Sequence, residues 1–387
     1  MTKTIVKLAM ALLLWPMQLI AATLTGWIGT YTANNNVSTG SHGIYSFQWD
    51  TERGVISGIQ SAVATSNPSF LALHPNGRFL YAVNEDELPS GPDHITAFAI
   101  ADPSSSSALR VIGSVSSEGL APCHLSVDST GKWLFVANYL SGSIAVYPIQ
   151  ADGSLAKARQ VVRQKGSGPV TGRQASAHAH QVVQSPDGRF LLSVDLGADR
   201  IFVYRFDAAS GALSPNNPAE VPFSPGSGPR HLVFSRDARR IYVLTELASS
   251  VVTLGWNPER GSAIELGTIS TLPASGPGER SNAESAEIVL HPNGTFLYAS
   301  NRGSSNTIAI FRIDRKGLPV AAGRVSAGGK LPRFIGVDPS GKFLIAANQG
   351  SGELSSFRID PASGALTPAG EKAVVPAPVS FVFARKD

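Results

Sequence analysis

The stretch HPNGRFLYAVN at residues 74–84 returns as HPNGTFLYASN at residues 291–301, changed only at Arg78/Thr295 and Val83/Ser300. A match of this length across 217 residues is too long for chance and too distant for a local motif, which points to internal repetition. Aligning the chain on this stretch gives six copies of an eighteen-residue unit, starting at Pro68, Pro122, Ala179, Pro229, Ser285 and Pro332. The starts lie 54, 57, 50, 56 and 47 residues apart. Nearly every unit reads as an apolar run, a turn rich in Gly, Pro, Asp or Asn, and a second apolar run, the pattern of a β-hairpin. A third apolar segment follows most of them, as in HITAFAI, GSIAVYPI, TIAIFRID and ELSSFRID. Three to four strands in a period of about fifty residues predict one propeller blade per unit.

The ends of the chain complete the count. PVSFVFA from Pro378 reads as the first strand of a seventh unit, and WIGTYT and GIYSFQWD near the start read as its later strands. A blade built from both termini closes the ring and removes the edges that an open array would expose. The expected fold is therefore all-β, a seven-bladed β-propeller closed by a blade shared between the termini. An open solenoid would leave the split ends unexplained.

Composition agrees, since 38 Gly and 26 Pro in 387 residues with 43% hydrophobic content suit short strands joined by turns. Residues 1–22 stand apart: Lys3 and Lys7 precede the apolar run LAMALLLWPMQLI and then AA, the order of a secretory signal peptide. Residues 23–387 are then the single propeller domain, and the expected location is periplasmic or secreted. A membrane anchor is the other reading, but the apolar stretch is short for a span and carries Pro16 and Gln18. Without Lys3 and Lys7 the formal charge falls from +4 to +2, spread along the chain, so neither nucleic acid nor a membrane surface is an expected partner. A single cysteine, Cys123, rules out an intramolecular disulfide and a multi-cysteine metal site.

In an antiparallel hairpin the first and last residues of each unit share one end of the blade, and the turn lies at the other. Around a ring, those unit ends gather at the mouth of the central channel. The second and third positions are Ser69 and Phe70, Cys123 and His124, His180 and Gln181, Arg230 and His231, Ala286 and Glu287, Arg333 and Phe334. The last two are Asn84 and Glu85, Asn138 and Tyr139, Asp195 and Leu196, Thr245 and Glu246, Asn301 and Arg302, Asn348 and Gln349. The interior positions repeat the same apolar types, whereas these ends vary and carry ionisable groups, as a shared site requires. For the recurrent Asn the bland reading is a hydrogen bond to the following turn. For His180, Arg230, Glu246, Glu287 and Arg302 the functional reading is preferred, because basic groups and carboxylates around a narrow opening perturb one another's ionisation. HAH at residues 178–180 puts two histidines on one strand face, a metal pair without further ligands in view. No Gly-x-Ser-x-Gly, His-Glu-x-x-His or phosphate loop occurs. What remains suits proton transfer beside a carboxylate or a developing oxyanion.

Six segments, GTYT with GIYSF, PCHLSVDSTGKWLFVANY, HAHQVVQSPDGRFLLSVDLGADRI, GSGPRHLVFSRDARRIYVLTEL, AEIVLHPNGTFLYASNRG and PRFIGVDPSGKFLIAANQ, resemble the seven-bladed β-propeller lactonases in order and over nearly the whole mature chain. That group includes bacterial propeller-type 6-phosphogluconolactonases and fungal carboxymuconate-lactonising enzymes. The resemblance implies a metal-free site with no cofactor at the channel mouth, with His180, Arg230, Glu246 and Arg302 as catalytic residues. Tyr31, His124, Glu287, Arg333 and Gln349 would line the same cavity and bind substrate, a small lactone or organic acid. Because a signal peptide takes the protein out of the cytosol, the expected reaction is hydrolysis of an unphosphorylated aldonolactone. Muconate-type cycloisomerisation and a non-enzymatic binding propeller are the alternatives.

Overall fold

Each repeat folds as the hairpin its spacing predicts, and a third and fourth strand extend every hairpin into a four-stranded antiparallel sheet. The computed structural model describes residues 23–34, 37–86, 93–100, 109–273 and 282–384; the expected signal peptide lies outside these. Blades 1 to 6 begin at Phe70–Leu73, Pro122–Val127, Ala179–Gln184, Pro229–Phe234, Ala283–Leu290 and Pro332–Val337, their innermost strands. Blade 7 takes its inner strand from Pro378–Phe383 and the next three from Thr23–Thr30, Gly43–Asp50 and Val55–Ala64. Both termini therefore meet in one sheet, with Ile28 paired to Phe381.

Packing between blades holds the ring that this pairing closes. Seven apolar clusters sit one at each junction between blades, and two of them flank blade 7: Trp49 with Phe343 of blade 6, and Trp27 with Leu80 of blade 1. Burying a large side chain at such a junction contributes about 1.5–3 kcal/mol. The Trp49 indole N–H also donates to Asp338 Oδ2 at 3.2 Å, tying the closing blade to its neighbour.

At the turn end the two copies of HPNG make the same contact. His74 Nδ1 accepts the amide of Asn76 at 3.1 Å, so its proton sits on Nε2, which donates to the Gly131 carbonyl of the next blade at 2.8 Å. His291 repeats this with Asn293 and Gly341, at 3.1 and 2.7 Å. The repeated stretch is thus a latch between blades. A second inter-blade contact needs glycine: Gly211, at φ 71°, packs its bare Cα on Trp133, whose ring a Cβ would meet at 2.2 Å.

At the mouth end, Asn138 Nδ2 donates to the Ser117 carbonyl at 3.0 Å, and Asn348 Nδ2 to Ala327 at 3.1 Å. Asn301 accepts from Ser285 and Thr271, at 2.8 and 2.7 Å. These asparagines are structural, as expected, but the segment they hold is mainly the crossover from the preceding blade rather than only the following turn. Burial dictates this choice, because each Asn is fully buried where that crossover would otherwise leave carbonyls unpaired.

Candidate active site

Six of the seven inner strands carry a register shift near their first residues: Pro378–Phe383 of blade 7, where Val379 is the extra residue, and five others at the positions the sequence marked as variable. Those five lie between Pro122 and His124, Ala179 and Gln181, Pro229 and His231, Ser285 and Ile288, and Pro332 and Phe334. The extra residue in each of the first three and the last is Cys123, His180, Arg230 or Arg333. A β-bulge leaves one residue outside the ladder and re-aims its side chain. Regular alternation would send Arg230 and His231 to opposite faces, yet both line the channel.

The mouth holds a cavity of about 410 Å³, within the usual size of small-molecule sites. His180, Glu246, Arg302, Tyr31 and Arg333 line it, together with Glu85, Cys123, Tyr139, Arg173 and Glu284. Glu246 is 3% exposed and forms its centre of charge. Arg230 Nε and Arg302 Nη2 each lie 2.9 Å from Glu246 Oε2, while Arg173 pairs with Oε1. The Arg230 contact is an ion pair without hydrogen-bond alignment; the Arg230 Nη1 group donates to the Ala286 carbonyl instead. Burial pushes the Glu246 carboxyl up, but Arg302, Arg230 and Arg173 outweigh it and hold the group down to about 2. Burial and the neighbouring Arg302 lower Arg230 to about 10, still charged at neutral pH.

Below this cavity lies the throat of the channel. Arg230, His231, Glu287 and Arg333 line it with Phe70 and Phe334. His231 Nδ1 stands 3.0 Å from both oxygens of Glu287. Burial raises Glu287 to about 8, against the pull of Arg230, and burial with Arg230 and Arg333 drives His231 far below its usual value. Near neutral pH the pair is therefore uncharged. The His231 ring also meets His124 and His180 edge-on, with centroids 5.4 and 5.1 Å apart. Burial lowers both of those as well, with Arg230 the next cause for His180 and His231 for His124.

The four residues expected to be catalytic are thus brought together, with Arg230 beneath the other three. Between the two histidines of HAH, His180 lines the cavity, and its Nδ1 is 3.9 Å from Cys123 Sγ. His178 turns away, stacked on Tyr139 at 4.6 Å with Nδ1 2.9 Å from the Tyr139 carbonyl. Among the described residues no three His, Cys, Asp or Glu side chains are placed to hold a metal. Glu287 belongs to the throat rather than the mouth, and His124 lines neither cavity but packs behind the throat against the rings of Phe70 and His231, with centroids 4.3 and 5.4 Å apart. Gln349 lines neither cavity; its amide donates to the Leu331 carbonyl at 3.0 Å in the turn after Phe343–Asn348. Cys123 faces the cavity as a thiol, because burial pushes its ionisation far up.

Known proteins place this architecture. The profile of a family described as lactonase, 7-bladed beta-propeller, matches residues 25–383. The chain belongs to the seven-bladed β-propeller lactonase family. A 6-phosphogluconolactonase of Bacillus subtilis is 34% identical over 359 residues, covering 92% of this chain and 97% of that protein. A 6-phosphogluconolactonase of Formosa agariphila is 33% identical, covering 86% and 93%. Among solved structures, a periplasmic gluconolactonase of Pseudomonas aeruginosa superposes with a TM-score of 0.86 at 35% identity, covering 94% of this chain and 99% of that one. By family the protein is a lactonase-type hydrolase.

Two members of this candidate site escaped the repeat alignment. Arg173 rides on the segment 164–178 that enters blade 3, outside every repeated unit. Gln174 pins that segment, accepting from the Val170 amide at 3.2 Å and donating to the Leu196 carbonyl at 2.8 Å. Glu284 precedes its unit by one residue and pairs with both Arg173 and, at 3.2 Å, Arg302. Its signal was available, because extending the hairpin by one step sets Glu284 directly opposite Arg302. Arg173 offered no such signal.

Proposed function

We propose that the protein hydrolyses unphosphorylated aldonolactones outside the cytosol, with His180 as the base. The observation that carries this reading is a neutral, buried histidine in the same small cavity as a carboxylate gripped by three arginines. A carboxylate held at about 2 is ionised but a poor proton acceptor. Glu246 therefore fixes the guanidinium groups, and His180 takes the proton from water as its oxygen bonds to the lactone carbonyl carbon. Arg302 and Arg173 stabilise the oxyanion that forms. When the ring C–O bond breaks, His180 returns the proton to the leaving oxygen, and the new carboxylic acid ionises in solvent.

Charge balance favours an unphosphorylated substrate. The cavity lining carries Arg173, Arg302 and Arg333 against Glu85, Glu246 and Glu284, and each arginine is already paired. A phosphate dianion would have to break those pairs, whereas a neutral lactone need not. The signal-peptide pattern of residues 1–22 and the periplasmic relative support export.

The test is proton release from a panel of sugar and muconate-derived lactones, with products identified, for the mature protein, His180→Gln and Arg302→Ala. Ring opening of aldonolactones that both variants lose by 100-fold or more is expected. Water-free interconversion of a muconate lactone would replace this reading with cycloisomerisation, and no turnover at all would point to a binding propeller.

A further inference from the structure

Four side chains at the mouth close a cycle of alternating charge. Glu246 Oε1 pairs with Arg173 Nη2, and Arg173 Nη1 pairs with Glu284 Oε1. Glu284 Oε2 accepts from Arg302 Nη2 at 3.2 Å, and Arg302 Nη2 returns to Glu246 Oε2 at 2.9 Å. The two carboxylates differ in setting. Glu246 is buried and has Arg230 as a third partner, whereas the side chains of Glu284 and Arg173 are 37% and 33% exposed. An ion pair this exposed holds weakly, because water competes for both partners. Glu284 is therefore the member of the cycle that another anion can replace.

Blade 5 extends its inner hairpin to place this residue. The inner strands of blades 2, 3, 4 and 6 begin with the pairs Pro122–Asn138, Ala179–Asp195, Pro229–Thr245 and Pro332–Asn348. Blade 5 matches these with Ser285–Asn301, then runs two pairs further toward the mouth, Glu284–Arg302 and Ala283–Gly303. The first added pair sets Glu284 against Arg302 on one ladder, and Arg173 reaches both acids from the segment 164–178. Glu284, Arg173 and Arg302 all line the cavity.

Ring opening creates a rival for Glu284. The oxygen that Arg302 and Arg173 stabilise as an oxyanion becomes part of the product carboxylate, so the same groups attract the product through charge-assisted bonds that the neutral lactone makes more weakly. The oxyanion presents one charged oxygen, which a guanidinium with five donors can take beside Glu284, whereas the carboxylate presents two and needs the face that Glu284 holds. We propose that Glu284 promotes product release by competing with the newly formed aldonate for Arg173 and Arg302. As the product leaves, the cycle of charges closes again. The inference rests on the lactonase reading for the identity of the product, and its test reads binding as well as turnover.

Gluconate binding is measured by calorimetry near neutral pH on the mature protein, Glu284→Gln and Glu284→Asp, with uncharged, non-hydrolysable gluconolactam as the control for the shape of the cavity. Gluconate should bind Glu284→Gln at least about tenfold more tightly than wild type, because a like charge beside the product has been removed. Glu284→Asp, which keeps the charge, should return to within about threefold of wild type, and gluconolactam affinity should change by less than about threefold throughout. Added gluconate should inhibit gluconolactone hydrolysis correspondingly more strongly in Glu284→Gln. If Glu284 were only a strut for the two arginines, the same variant would bind gluconate more weakly. Gluconate affinity unchanged or reduced in Glu284→Gln, or gluconolactam tightened as much as gluconate, would overturn the proposal, and hydrolysis by the wild type would then leave the lactonase reading standing alone. Tighter gluconate binding in Glu284→Gln without hydrolysis of any lactone would sink the hydrolytic reading and leave Glu284 as the competitor for a bound carboxylate.

Discussion

The same hairpin serves two purposes at its two ends. At the turn end, His74 and His291 are identical in sequence and make the same latch to the next blade, within 0.1 Å. At the mouth end the same two units diverge to Glu85 and Arg302, which sit in clusters facing one another across the cavity. Repetition persists where the geometry must be the same at every junction. It is lost where seven blades must supply different groups to one site, and that loss is what marks the site.

This contrast predicts opposite phenotypes at the two ends. Glu246→Ala should give the largest effect, lowering kcat/KM by at least 1,000-fold. It should also destabilise the fold by about 3–5 kcal/mol in denaturant unfolding, because it strands the buried Arg230 charge. His180 sets the next test, through pH. Its proton affinity is depressed by burial and Arg230, so the base form survives into acid. The kcat/KM profile should be flat from pH 8 to 6.5 and fall only below that; an acid limb at or above 6.5 would remove His180 as the base.

Glu287 should sharpen the contrast through stability. Its folded carboxyl titrates at about 8 and the unfolded one near the ordinary 4.5. The folded state therefore binds the extra proton between these values, and stability from this group falls as pH rises through that window. Relative to wild type, Glu287→Gln should gain at least about 1.4 kcal/mol on going from pH 5 to pH 8, the equivalent of one pKa unit. The smallest effect belongs to the turn end: His291→Ala should cost about 1 kcal/mol of stability and leave kcat/KM unchanged. Adding His74→Ala should double that cost, since the two latches lie at different junctions. A loss of activity in either latch variant would break the division between the ends.

The sequence made the site legible wherever a residue belonged to a repeat. His180, Arg230, Glu246 and Arg302 were found because each departs from its column, and position in a column fixes position around the ring. Glu85 stood in the same columns without a role, because a lone Glu at a strand end does not reveal which arginine faces it. Arg173 was invisible, since a segment outside the repeats has no register to place it. Gln349 shows the limit from the other side: it occupies the right column, but the turn after Asn348 carries it out of the cavity lining.

By itself the sequence determined the number of blades, the closure through both termini and the end of the ring where ionisable groups gather, because hairpin periodicity and turn spacing are local properties that repetition amplifies. Only the tertiary structure decided which of His178 and His180 faces the cavity, and that Glu246 is held by three arginines rather than two. It also assigned Glu287 to an uncharged pair beneath the site. Those outcomes depend on the bulges that re-aim single side chains and on the burial that shifts proton affinities, and both arise only when seven blades converge on one channel.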